Sequence, residues 1–213
     1  MDARVAEIEK RAAAEAAADL VPDGAVVGLG TGSTVAYLLP KLAERRLEIR
    51  CVATSVTTEV AARALGLLVE PFDELRTLDI AIDGADQIAP DRWLVKGGGA
   101  AHTREKVVAA AARRFVVIAS SDKLVDELRA PVPLEILAFG ARATLAELAP
   151  AELRGVLLSP DGNLIADYLG PIGDPAVLAG RLSSTPGVVE HGLFAPELVS
   201  DVLVGRGPEV ERV

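Results

Sequence analysis

"AVVGLGTGSTVAYLL", residues 25–39, reads as a strand that turns through a glycine- and hydroxyl-rich loop into a helix. The run 25–30 has the unbroken apolarity of a strand buried on both faces, and Val35, Leu38, Leu39 and Leu42 recur at helical spacing, with Pro40 as the one blemish. Upstream, residues 4–20 read as an alanine-rich helix, closed by a turn at Pro22, Asp23 and Gly24. Downstream the alternation repeats. "EIRCVAT" is a strand, "TTEVAARALG" a helix ended by Gly66, and "LLVEPF" and "LDIAID" further strands. "DRWLVKG" is a short strand, "TREKVVAAAARR" a helix and "FVVIAS" another buried strand. Strands alternating with helices at this spacing predict an α/β domain with a mostly parallel sheet and helices on both faces.

The pattern changes after about residue 128. "VPLEIL", "ARATLAELA", "LRGVLLS", "NLIADYL", "PAVLAGRLSS" and "GVVEHGLF" follow one another as strand, helix, strand, strand, helix, strand. That order is the ferredoxin-like split βαβ arrangement. The expectation is a smaller α+β domain over 129–199, with "LVSDVLVG" returning the chain to the first sheet, so that the larger domain comprises 1–128 and 200–213.

With 22 Lys and Arg against 31 Asp and Glu, the 213-residue chain carries a net charge of -9. This opposes nucleic-acid and anionic-membrane binding, which need basic surfaces, while leaving room for one local phosphate pocket. No apolar run approaches the roughly 18 residues of a membrane span. The start of the chain lacks the apolar core of a signal peptide. A single cysteine, Cys51, reads as a buried thiol in a reducing cytoplasm. Lysine is scarce beside arginine: Lys10, Lys41, Lys96, Lys106 and Lys123 are all there are. A lysine kept where arginine is the habit points to a need for a compact point charge.

Four stretches carry chemistry. Thr31, Gly32, Ser33 and Thr34 lie between the first strand and its helix, where glycines admit a ligand to the backbone and the helix start supplies N–H groups; a small phosphate ester fits this anion cradle. A dinucleotide site would want an acid after the next strand, and Ala53, Thr54 and Ser55 stand there instead. Asp83, Gly84, Ala85 and Asp86 leave the "LDIAID" strand at its carboxyl end, where open α/β sheets bind ligands. The two carboxylates suit hydroxyl proton transfer, sugar binding, metal ligation or simple turn capping. Lys96, Gly97, Gly98 and Gly99 offer a cation and consecutive N–H groups, an oxyanion-hole arrangement. Glu105 follows near the first turn of a helix, where an acid complements the dipole and can equally serve as a carboxylate base for proton abstraction beside a carbonyl. Lys123 is a fourth candidate, either a surface residue or a ligand for phosphate or sugar. His102 reads as a loop-surface residue beside the glycines, and His191 as structural.

These stretches resemble ribose-5-phosphate isomerase of type A. The resemblance rests on "VGLGTGST", "DIAIDGADQI", "KGGGAAHTREK" and "ASSDKLVD" in that order, joined by "PVPLEI", "DGNLIAD", "IGDP" and "PGVVEHGLF". It implies a Rossmann-like domain with a smaller ferredoxin-like one, a cytoplasmic homodimer or homotetramer, and a pentose phosphate substrate handled without metal or organic cofactor. It further implies that Glu105 is the proton acceptor, that Asp83, Asp86 and Lys96 assist catalysis, and that Thr31, Gly32, Ser33, Thr34, Gly84, Ala85, Gly97, Gly98, Gly99 and Lys123 help bind substrate. The chain departs from the family pattern at Gln87, where Glu is common, at His102, where an apolar residue is common, and over 148–159, which is shorter. A phosphosugar-sensing regulator would need a DNA-binding segment for which the short acidic N-terminus has no room. A phosphosugar deaminase or lactonase is less favoured by the aspartate pair, the triple glycine and Glu105 together.

Overall fold

The computed structural model describes residues 2–73 and 75–213; Met1 and Glu74, both within the expected larger domain, lie outside the described residues. Helix α1 (Ala3–Ala18) starts where the Asp2 carboxylate accepts the Arg4 N–H, and its Ala13, Ala14, Ala17 and Ala18 are fully buried. There follow β1 (Val26–Leu29), α2 (Val35–Glu44), β2 (Arg50–Ala53), α3 (Val56–Ala64), β3 (Leu68–Val69), β4 (Ile80–Gly84), β5 (Gln87–Ile88), β6 (Leu94–Val95), α4 (His102–Ala111) and β7 (Phe115–Ser120). The chain continues with β8 (Val132–Ile136), α5 (Ala141–Glu147), β9 (Ala151–Leu158), β10 (Leu164–Tyr168), α6 (Pro175–Ser184), β11 (Val188–His191), β12 (Leu193–Phe194), β13 (Asp201–Arg206) and β14 (Glu209–Arg212).

The chain forms two compact units. The first comprises Met1–Ala85, Arg104–Lys123 and Glu197–Val213. Its sheet has the order β14-β13-β7-β4-β1-β2-β3, parallel throughout except for β14. The chain runs outward from β1 to β3 and then returns to β4 on the other side of β1, so the order reverses between β1 and β4. Strand pleating divides the sheet's side chains between two faces. Val27, Leu29, Ile80, Ile82, Val116 and Ile118 join the core that includes α1 and α2. On the alternate face Gly28 lies opposite α4, where an added Cβ would sit 2.5 Å from Val108 Cγ1, so only glycine lets the helix approach this closely. The expected α/β sheet with helices on both faces is present, and "LVSDVLVG" does return to it as β13. Cys51 is fully buried, and burial pushes its thiol up to about 12.

The second unit comprises Asp86–Thr103 and Leu124–Pro196. Its sheet, β11-β8-β10-β9, is antiparallel throughout, and β8-α5-β9-β10-α6-β11 is the ferredoxin-like connectivity. Val132, Leu134, Ile136, Leu148, Ala166, Tyr168, Leu178 and Leu182 build its core. The division differs from a boundary at 128. Residues 86–103 belong with the second unit, where β6 pairs with both β5 and β12 in a three-stranded sheet that the sequence pattern does not reveal. "GVVEHGLF" is likewise not one strand. It breaks at Gly192, where a Cβ would lie 2.2 Å from the Lys96 carbonyl oxygen, and its two halves serve different sheets.

Candidate active site

Two of the expected loops meet at the strand ends of the first unit. Asp83, 3% exposed at the end of β4, accepts the Thr31 N–H at 3.0 Å and the Gly84 N–H at 2.7 Å through the same Oδ1. Gly30 makes this possible, because a Cβ there would fall 2.0 Å from Asp83 Cγ. The pairing joins residues 52 apart in sequence at the point where the strand order reverses, the usual ligand position of an open α/β sheet. Thr54 and Thr58, which sequence reasoning missed, stiffen the loop. Thr54 Oγ1 lies 2.8 Å from Thr31 Oγ1, and Thr58 donates to the Gly30 carbonyl at 2.8 Å. Thr54 was legible as the residue that follows β2, by the same strand-end rule that singled out Asp83.

The start of α2 differs from that of α3. Thr34 stands at its N-cap but makes no side-chain cap hydrogen bond, whereas Ser55 caps α3 by accepting the Thr58 N–H at 3.2 Å. Gly32 and Ser33 are exposed beside Thr34, at the positive end of the α2 helix dipole. Glu105 lies in the first turn of α4 and is 4% exposed. Lys123 ends a single helical turn after β7, 3.9 Å from the Asp122 carboxylate. That turn is tethered by Glu9 of α1, whose carboxylate accepts the Ser121 N–H (2.8 Å), the Ser121 hydroxyl (2.7 Å) and the Gly207 N–H (3.1 Å). Burial pushes the Glu9 carboxyl up, but these hydrogen bonds outweigh it and hold it below the usual carboxylate range.

The second unit holds the other residues. The Asp86 N–H donates to the Val95 carbonyl at 2.8 Å, and its Oδ2 accepts the Gly98 N–H at 2.8 Å, so the second aspartate is bound to the triple-glycine loop. Lys96 is 3% exposed; its N–H donates to the Gly192 carbonyl at 2.8 Å, and its Nζ lies 5.4 Å from the centre of the Phe194 ring. Gly97 has φ +105°, and a Cβ there would lie 2.7 Å from His102 Nδ1. His102 is therefore not a loop-surface residue: it opens α4, is fully buried, and packs against this glycine. His191 is buried as expected of a structural histidine, with Nε2 3.1 Å from Ser183 Oγ and Nδ1 accepting the Leu193 N–H at 3.2 Å. Gln87 donates to the Arg129 carbonyl at 2.7 Å and accepts its N–H at 2.8 Å, a pairing that a glutamate lacks the donor to complete. Arg154, which no sequence signal marks among so many arginines, donates to the carbonyls of Gly97 and Gly98 at 3.1 and 3.2 Å. Among the described residues, no group of three or more His, Cys, Asp or Glu side chains could hold a metal ion.

A family model described as ribose 5-phosphate isomerase A (phosphoriboisomerase A) matches residues 50–208. The chain is 45% identical to the ribose-5-phosphate isomerase A of Caulobacter sp. (strain K31) over 223 residues, covering 98% of each chain. This alignment takes in the 31–34 loop that the family model leaves out. The solved ribose 5-phosphate isomerase A of Methanocaldococcus jannaschii superposes with a TM-score of 0.90 at 35% identity, covering 96% of this chain and 97% of that one. A D-ribose-5-phosphate isomerase solved in complex with phospho-erythronic acid superposes with a TM-score of 0.92 at 35% identity, covering 98% of both.

Proposed function

The chain belongs to the ribose-5-phosphate isomerase A family, whose reaction interconverts ribose 5-phosphate and ribulose 5-phosphate in the pentose phosphate pathway, and we propose how its own residues divide that work. The N–H groups and hydroxyls of residues 31–34 hold the phosphorylated sugar, with Lys123 adding positive charge. Asp83 or Asp86 moves a proton between the ring oxygen and the anomeric hydroxyl, which opens the ring. Glu105 removes the C2 proton of the open aldose, and the electron pair shifts to the carbonyl oxygen to give a cis-enediolate. Lys96 and the amides of 97–99 stabilise that oxyanion. Glu105 then returns the proton to C1 as the C2 hydroxyl proton passes to the O1 oxyanion, which leaves a carbonyl at C2 and a hydroxyl at C1, the ketose.

The observation that carries this reading is the burial of Glu105 and Lys96, 4% and 3% exposed, at either end of one glycine-rich segment. Removed from water, a carboxylate base and an oxyanion-stabilising cation each act more strongly than they would in solvent. Phospho-erythronic acid, bound by a relative, carries on its carboxylate a planar two-oxygen negative charge like that of an enediolate. The protein works in the cytoplasm as a homodimer or homotetramer, which light scattering on the purified chain distinguishes from a monomer.

The test is incubation of chelator-treated protein with ribose 5-phosphate in deuterated water. Ribulose 5-phosphate forms and deuterium enters C1, only partly where the single base returns the same proton. Product without any exchange at C1 would exclude an enediolate shared with solvent, and no product would exclude the reaction.

A further inference from the structure

The residues placed at the chemistry include three glycines that have no side chain to hold them in position. We propose that Arg154, anchored by Asp167, is the residue that positions the oxyanion-stabilising loop; the proposal rests on the isomerase reading above and adds to it. Arg154 lies on β9 and forks in two directions. Its Nε donates to Asp167 Oδ2 on the neighbouring β10 at 2.9 Å, and its Nη2 pairs with Oδ1 of the same carboxylate. Its Nη1 donates to the carbonyls of both Gly97 and Gly98. The Asp167 hydrogen bonds raise the Arg154 pKa against the opposing effect of burial, and the charge of Asp86 adds to the rise.

The geometry is specific to a planar fork. A guanidinium held on one edge by a carboxylate presents its remaining N–H groups in fixed directions, and a lysine cannot do so. Carbonyl oxygens pulled toward Arg154 fix the peptide planes of 97–98 and 98–99, and so fix where the amides of Gly98 and Gly99 point. The amide of Gly98 points at Asp86. β9 is shaped for this role. Between Leu153 and Leu158 it advances five positions while β10 moves from Ala166 to Leu164, and Gly155 within that bulge has φ +56°. Bulges re-aim side chains at functional sites. The far end of the same segment is held from the same unit. Fully buried Glu135 on β8 accepts hydrogen bonds from Thr103, from Ser159 at 2.7 Å and from Asn163 at 2.7 Å. The glycine loop is thus gripped at both ends by the ferredoxin-like sheet, through a stretch, 148–159, in which the chain departs from the pattern it resembles.

The experiment compares wild type, Arg154→Ala and Arg154→Lys for kcat, KM and thermal midpoint. Arg154→Ala lowers kcat about tenfold to a hundredfold with KM within threefold of wild type, because misplacing catalytic donors by about 1 Å costs on that order. Arg154→Lys stays low, since it restores the charge but not the fork. Ethylguanidinium at sub-denaturing concentration raises kcat of the alanine variant, a recovery that general destabilisation would not show. A folded Arg154→Ala with kcat within twofold of wild type, a change in KM alone, or full recovery by lysine overturns the proposal. Where the alanine variant is unfolded at assay temperature, Asp167→Asn decides: it lowers kcat at least threefold at unchanged KM, and a wild-type kcat overturns the proposal. An inactive wild type removes the isomerase reading itself, which none of the variant outcomes can do.

Discussion

Two glycine-rich loops leave strand ends in this chain, and they are built in opposite ways. The loop at 31–34 is open. Gly32, at φ +121°, has nothing within 4 Å of where a Cβ would stand, Ser33 is exposed, and the start of α2 lacks a side-chain cap. The loop at 96–99 is gripped. Gly97 is wedged against His102 and Pro133, its carbonyl and that of Gly98 are held by Arg154, and the Gly98 N–H is held by Asp86. The difference matches the two tasks proposed for them. Catching a phosphate needs many donors and a helix dipole, and tolerates small shifts. Stabilising a charge that exists only in the transition state needs donors fixed in advance to a fraction of an ångström.

Substitutions can break or sharpen that contrast. The largest effect belongs to the proposed base: Glu105→Gln keeps the fold by circular dichroism and lowers kcat by about 10²–10⁴, the usual share of a general base. A variant within a few-fold of wild type removes Glu105 from the role. Next is Gly97→Ala. The residue would have to keep φ +105° with its Cβ 2.7 Å from His102 Nδ1, which strains the backbone by about 1–3 kcal/mol before any collision is counted. The expectation is a lower urea midpoint and a fall in kcat that exceeds any change in KM. The open loop gives the opposite signature. Ser33→Ala and Thr34→Ala raise KM for ribose 5-phosphate roughly tenfold to a hundredfold while kcat holds within threefold, as loss of a hydrogen bond to a charged group costs about 1.5–3 kcal/mol. Similar KM and kcat effects from both loops would erase the distinction.

The smallest effect concerns how the Lys123 turn is fastened. Glu9 has a folded-state pKa lowered below 4.5, so its contribution to stability is fully present above 4.5 and is lost as pH falls through the folded value. Glu9→Gln lowers the urea midpoint at pH 7 and flattens the decline of stability below pH 4.5. A decline unchanged in the variant places the acid sensitivity elsewhere.

Much of the candidate site was legible because its residues sit at strand ends, where an α/β pattern exposes whatever follows a buried run. Thr31, Asp83, Asp86 and Lys96 were found that way, and Glu105 from its place in the first turn of the helix that follows the glycines. Arg154, Asp167 and Glu135 were not, because each lies within a strand and acts through a partner distant in sequence. Arg154 is 57 and 56 residues from the carbonyls it holds. His102 was misread because adjacency to a flexible tripeptide implies exposure, while burial depends on what packs over it.

From local order alone, the chain dictates alternating strands and helices, the ferredoxin-like succession after residue 128, and the residue types that carry charge and hydroxyls into the loops. Those follow from the periodicity of side chains along a strand or helix, which is a property of neighbours in sequence. Only the tertiary structure decided that β5, β6 and β12 form a third sheet, that Gly192 divides one apolar run between two sheets, and that an arginine on β9 holds the glycine loop. Each of these depends on pairing between segments far apart in the chain, and the hydrophobic pattern of a segment specifies that it will be buried without specifying against what.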